Sequence, residues 1–154
     1  MSRAVKRPEF LRPEQQKAVD NMKNGCILNG GVGSGKSRTG LYYYFKENGG
    51  SMIPSHIPMK QHPQDLYIIT TAKKRDSKEW DEELSPYILS TDPILNTYYG
   101  NTVVVDSWNN IQKYTDVKDA FFIFDEDRLT GSGVWVKSFY EISRWNDWII
   151  LSAT

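Results

Sequence analysis

The stretch that most restricts the fold of this chain is residues 30–37, where Gly30, Gly31, Val32, Gly33, Ser34, Gly35, Lys36 and Ser37 lie between a short apolar run and a helical pattern. Glycine at this density cannot form the interior of a helix or strand, but it lets a loop turn its backbone N–H groups inward around an anion. The order Gly-x-x-x-x-Gly-Lys-Ser then delivers the chain to the first turn of a helix, whose positive end points at the same place. A loop of this kind needs a strand before it and a helix after it. That requirement selects a parallel sheet with crossover helices, because strands of one direction need such connections.

The rest of the chain follows the same rhythm. Five apolar or β-branched runs, 26–28, 66–69, 103–105, 121–124 and 148–151, read as strands, and they are continuous rather than alternating, as expected for strands covered on both faces. Helices are predicted over 13–22, 37–45, 76–84 and 134–144. Pro13 suits a first helical position, and Ala18, Val19 and Met22 share one side of that helix. The expectation is a three-layer α/β/α fold around a mostly parallel sheet of at least five strands with right-handed crossovers. A length of 154 residues suits one domain, 1–154. Residues 48–64, with prolines, glycines, His56 and His62, read as a surface loop, and the two histidines have no companion ligands that would make a metal site. Tyr42, Tyr43 and Tyr44 read as a helix face packed on the sheet rather than a base-stacking platform.

Charge narrows the partners. Lys plus Arg number 19 and Asp plus Glu number 19, so no overall positive field holds a polyanion and any nucleic-acid contact is local. Cys26 is the only cysteine and lies in an apolar run, which fits a reducing compartment and a packing role. There is no apolar stretch of signal-peptide or membrane-spanning length, so the expected location is cytoplasmic.

Two places carry chemistry. Residues 30–37, with Arg38 directly after them, form the expected phosphate-binding set: Lys36 reaches the β and γ phosphates of a nucleoside triphosphate, and Ser37 offers its hydroxyl to the accompanying Mg²⁺. Asp125 and Glu126 follow the apolar run 121–124, and carboxylates at the end of a core strand are costly unless they face a cleft or a cation. In an open parallel sheet ligands gather beyond the carboxyl ends of the strands, so Asp125 is expected to hold Mg²⁺ with Ser37 and Glu126 to orient and deprotonate the attacking water. Lys36, Asp125 and Glu126 are thus the expected catalytic residues. Thr70, Thr71, Ser107 and Ser152 also end or follow strands; each reads as a cap or turn residue, or together as one functional edge. The basic group Lys73, Lys74, Arg75 and Lys78 reads equally as a nucleic-acid contact or as a solvated helix with pairs such as Arg75 to Glu79 and Lys78 to Glu82. Trp108 reads as core or as a stacking residue.

On these residues the sequence resembles the first motor lobe of superfamily two helicases and translocases, particularly the Swi/Snf-like and DEAD/DEAH-like proteins encoded by bacteriophages. Leu11, Arg12, Pro13, Glu14 and Gln15 are similar to the family's glutamine motif, which implies that Arg12 and Gln15 help to bind the nucleotide and that Gln15 recognises adenine. Residues 30–37 stand as motif I. Thr70, Thr71 and Ala72, followed by Trp80, are similar to motif Ia, and Asp106, Ser107, Trp108 and Asn109 occupy the place of motif Ib. In the family both regions touch one nucleic-acid strand, which implies contacts at Thr71, Ser107 and Trp108. Asp125, Glu126, Asp127 and Arg128 stand where the family has its DExH or DExD box, and Ser152, Ala153 and Thr154 match motif III, implying that Ser152 and Thr154 couple the ATP state to movement.

The resemblance implies RecA-like architecture, ATP and Mg²⁺ as cofactors, and weak binding of single- or double-stranded DNA. It has two departures. Arg128 replaces the usual His or Asp of motif II, and residues 1–154 contain no second lobe with motifs IV to VI. Transition-state arginines of that lobe are worth about 10³ to 10⁵ in rate, so this segment alone is expected to bind Mg-ATP and hydrolyse it little without the second lobe or a partner protein. The alternative expectation is a nucleotide-dependent protein-interaction module without motor activity. A small-molecule kinase is disfavoured because no arginine-rich lid follows the loop.

Overall fold

The computed structural model describes residues 10–30, 35–126, 129 and 133–153. Pro13–Asn21 forms α1 and Lys36–Glu47 forms α2; Ala72–Ser77 and Glu79–Leu84 form α3 and α4; Val134–Trp145 forms α5. The strands are Ile27–Asn29 (β1), Leu66–Thr70 (β2), Val103–Ser107 (β3), Phe121–Asp125 (β4) and Asp147–Ser152 (β5). All five predicted strands are present within a residue or two of their expected bounds. They form one sheet in the order β1-β5-β4-β2-β3, and every pair is parallel.

The order explains the layers. From β1 the chain passes β5 and β4 to reach β2, continues outward to β3, and then returns through β4 to β5. Right-handed crossovers that travel in opposite directions lie on opposite faces of a sheet. Accordingly α1, α2 and α4 pack with Leu66, Ile68, Phe121, Ile123, Ile149 and Leu151 on one face, whereas α5 and the 3₁₀ segment Trp108–Tyr114 pack with Ile69, Phe122, Phe124 and Ile150 on the other. Neighbouring residues of one strand therefore belong to different cores, which is why the strands read as unbroken apolar runs. β1 departs from this. It is an edge strand with Ile27 about half exposed, and Cys26 just before it is only partly buried.

The tyrosine run of α2 does pack on the sheet: Tyr42, Tyr43 and Tyr44 are buried, and Tyr43 and Tyr44 meet Phe121 with ring centroids 6.0 and 5.3 Å apart. The single helix expected over 76–84 is instead two. α3 starts at Ala72 because Thr71 caps it, its hydroxyl accepting from the Lys74 N–H at 3.2 Å. Lys78 then adopts a left-handed backbone with φ 61°, ending α3 and redirecting the chain so that Trp80 and Leu84 of α4 enter the core.

Residues 48–64 hold no helix or strand beyond an isolated antiparallel bridge between Ser51 and Ile57. The tip around residues 54–58 is exposed, but both ends are fastened. Asn48 is buried and accepts from the Gln64 N–H at 3.0 Å, and Met59 is buried with its N–H bonded to the Tyr99 hydroxyl.

Phe121 joins α2 to the middle of the sheet, so Phe121→Ala should lower the unfolding free energy by about 3–5 kcal/mol in a denaturant titration.

Candidate active site

Parallel strands end on one edge, and here the strand order sets out the chemistry along it: Gly30 after β1, Ser152 at the end of β5, Asp125 of β4, Thr70 of β2 and Ser107 of β3. Adjacent strands are about 4.8 Å apart, so Gly30 and Asp125 stand about 10 Å apart with Ser152 between them. Two backbone bonds hold this row: the Gly30 N–H donates to the Ser152 carbonyl at 3.1 Å and the Glu126 N–H to the Leu151 carbonyl at 3.1 Å.

The glycine loop reaches α2 through Gly35, whose φ of 74° is left-handed. Its carbonyl accepts from the Thr39 N–H at 3.0 Å, from the Thr39 hydroxyl at 2.9 Å and from Gln15 Nε2 at 3.3 Å. Gln15 is buried and its Oε1 accepts from the Arg12 N–H at 2.8 Å, which closes the first turn of α1. Gln15 therefore has one end on its own helix and the other on the glycine loop. A Cβ on Gly35 would lie 2.1 Å from Gln15 Nε2, so close approach as well as φ demands glycine here. Lys36 opens α2 and donates from Nζ to the Gly30 carbonyl at 2.6 Å, spanning the loop from its last residues to its first. Beside these residues lies a pocket of about 220 Å³ lined by Gln15, Ala18, Leu28, Asn29, Lys36 and Thr39.

Other expected contacts lie differently. Arg38 is exposed, with its guanidinium over the Phe10 ring at 4.8 Å and Nη1 bonded to the Phe10 carbonyl. The Arg12 guanidinium pairs with Glu14 at 2.9 Å on the surface. Ser37 is partly buried in the first turn of α2. Gly31, Val32, Gly33, Ser34, Arg128 and Thr154 lie outside the described residues.

Asp125 is buried at the end of β4. Its Oδ2 accepts from the Thr70 hydroxyl at 2.8 Å and from Lys74 Nζ at 3.2 Å, while its backbone carbonyl accepts from the Trp108 indole at 2.9 Å. Glu126 leaves the strand in a left-handed conformation, φ 58°, an uncommon state for a non-glycine residue. Its Oε1 also meets Lys74 Nζ, at 3.1 Å. Burial alone would lower the Lys74 pKa, but the facing charges of Asp125 and Glu126 outweigh it and hold the ammonium above its ordinary value.

Next along the edge is a second centre. Asp106 is buried and accepts from the Ser107 N–H at 2.7 Å, Asn110 Nδ2 at 2.9 Å, Arg75 Nη1 at 3.0 Å and the Tyr114 hydroxyl. Burial would raise its pKa, yet these donors together hold the carboxyl below the ordinary range; Tyr114 is pushed up by partial burial and by that charge. Arg75 also pairs with Asp76 at 2.9 Å, so it does not make the expected pair with Glu79; α3 ends between them.

Two residues expected at a nucleic-acid contact are buried. Trp108 is inside, flanked by Phe124 and Trp135 at centroid distances of 5.7 and 5.9 Å, and has no open face for a base. Ser107 is buried with its hydroxyl against Arg75 at 3.4 Å. Thr71 stays partly exposed as the cap of α3, beside exposed Lys73. Sequence reasoning missed the roles of Lys74 and Asp106. Contiguous sequence marks neither role, because each depends on which strands become neighbours.

No protein-family model matches the sequence and no curated protein matches it. Among solved structures the chain is similar to the Sulfolobus solfataricus SWI2/SNF2 ATPase core in complex with dsDNA, with a TM-score of 0.63 at 17% identity, covering 94% of this chain and 32% of that one. The likeness is one of fold: a RecA-like α/β/α domain with a five-stranded parallel sheet. Among the described residues no helix is long and apolar enough to cross a membrane.

Gly35→Ala should lower the melting temperature through both φ and the clash with Gln15, and adding Gln15→Ala should recover the clash part but leave about 1 kcal/mol of left-handed strain. A carboxyl whose folded pKa is depressed stabilises the fold above its unfolded pKa and loses that contribution as pH falls through the folded value. Asp106→Asn should therefore cost about 1–3 kcal/mol at neutral pH, and the gap to wild type should shrink in unfolding curves recorded below about pH 4.

Proposed function

We propose that this chain is the ATP-binding first lobe of a DNA helicase or translocase. The observation that carries the reading is the row on the carboxyl edge, where Gly30, bonded by Lys36 from the head of α2, Ser152 and the Asp125–Glu126 pair stand at adjacent strand ends of a RecA-like sheet. In this reading the phosphates lie on the loop 30–37 and on the N-terminal end of α2, with Lys36 leaving the Gly30 carbonyl to neutralise the β and γ phosphates. The pocket beside Gln15 takes the base, and Gln15, already bonded to the glycine loop, relates base recognition to loop conformation.

The carboxylate site fits Mg²⁺ by the chemistry of its donors. Asp125, Glu126, Thr70 and Ser37 offer hard oxygens only, and a carboxylate as buried as Asp125 calls for a cation. Mg²⁺ when bound would neutralise phosphate charge, with Ser37 and Asp125 holding it. Glu126, half exposed at the strand end, would orient and deprotonate the attacking water. In this reading Ser152, between loop and carboxylates, senses the nucleotide state.

DNA as the track is supported by the similarity in fold to a protein whose structure holds dsDNA. With Trp108 and Ser107 buried, the contact face on this lobe reduces to the start of α3, at Thr71 and Lys73, and binding is weak and salt-sensitive. In this reading turnover is completed by arginines of a second RecA-like lobe or of a partner.

Thermal melts with Mg-ATP test the reading. Wild type should be stabilised, by about 2.7 kcal/mol at a hundredfold excess over Kd. Lys36→Ala should lose that shift, and Glu126→Gln should keep it while abolishing any hydrolysis measured in the presence of DNA. Equal shifts for wild type and Lys36→Ala would falsify nucleotide binding on this loop.

A further inference from the structure

Lys74 has no part in the proposed nucleotide chemistry, yet among the described residues its ammonium contacts both carboxylates. It lies 3.2 Å from Asp125 Oδ2 and 3.1 Å from Glu126 Oε1, and the same Asp125 oxygen takes the Thr70 hydroxyl at 2.8 Å. Its backbone is held firmly on both sides. The Lys74 N–H is bonded to Thr71 Oγ1, which follows β2, and the next residue, Arg75, is anchored to buried Asp106 at 3.0 Å. The side chain is the free part of this arrangement, a long flexible stem a little under one third exposed.

We propose that Lys74 is a positioning residue of the carboxylate site: its ammonium is the built-in counter-ion that keeps Asp125 and Glu126 side by side, and a hard divalent cation binds there by displacing it. This rests on the reading of Asp125 and Glu126 as the metal-binding pair. The physical argument is competition for lone pairs. Two neighbouring carboxylates repel, the more so where one is buried, and a single cation between them removes that repulsion. A divalent cation with oxygen ligands offers twice the charge to the same oxygens, while the ammonium can swing on its stem toward solvent. Lys74 thus keeps Asp125 and Glu126 in place without metal and lowers their affinity for metal that arrives without phosphates. Nucleotide-borne Mg²⁺ has the phosphate charge to offset that competition. The lone metal does not.

The test uses Mn²⁺ as a spectroscopic probe of the Mg²⁺ site, titrated into the full chain without nucleotide and followed by electron paramagnetic resonance. Lys74→Gln should bind Mn²⁺ about tenfold more tightly than wild type, because the competing charge is gone, and Lys74→Arg should stay near wild type. Glu126→Gln and Asp125→Asn should both weaken binding. If Lys74→Gln binds no more tightly while the carboxylate variants still weaken the metal, Lys74 is not the counter-ion and the site reading stands. If neither carboxylate variant changes Mn²⁺ binding, the site reading itself fails. A second measurement needs no variant: acylation of the Lys74 amine in wild type, read by mass spectrometry, should speed up several-fold when Mg²⁺ is added, and an unchanged rate overturns the displacement.

Discussion

Parallel pairing of all the strands is the constraint from which the rest of this structure follows. It requires every connection to cross a face of the sheet, so both faces are covered and the inner strands are apolar on both sides. It also collects every strand's carboxyl end on one edge, where the covering helices begin and their unpaired N–H groups point. Polar residues at those ends are thereby brought together, although Gly30 and Ser152 are 122 positions apart in the sequence. Gly30, Ser152, Asp125, Thr70 and Ser107 become neighbours for this reason alone.

Electrostatics then divides the edge into two centres. Among the described residues the donors to the Asp125 carboxylate are the Thr70 hydroxyl and a flexible lysine, whereas Asp106 is held by four donors from β3, α3 and the 3₁₀ segment. A carboxylate with so many fixed donors is a structural anchor, since a cation would find its lone pairs already taken. A carboxylate whose partners can leave is suited to binding. α3 connects the two, because its consecutive residues Lys74 and Arg75 face different centres. Any force on the start of this short helix acts on both.

How much was legible varied with the physical range of the signal. The five strands were readable because β-branching and apolar runs report local backbone preference and two-sided burial directly. The break at Lys78 was not, because a lysine has no intrinsic preference for left-handed φ; the turn exists so that Trp80 and Leu84 can enter the core. Trp108 was ambiguous for a related reason. A tryptophan at a strand end suits either a base or a core, and only the approach of α5 and β4 covers its faces.

The sequence by itself determined the α/β alternation and the apolar strand that ends in Asp125 with Glu126 just beyond it, since each is written in contiguous residues. The tertiary structure alone decided strand order, and with it which side chains meet: that Lys74 serves Asp125 and Glu126 while Arg75 serves Asp106, that Ser107 and Trp108 are inside, and that Gln15 closes on Gly35. The reason is that a charge or an aromatic ring carries no address in the chain, and its partner is chosen by the packing of elements distant in sequence.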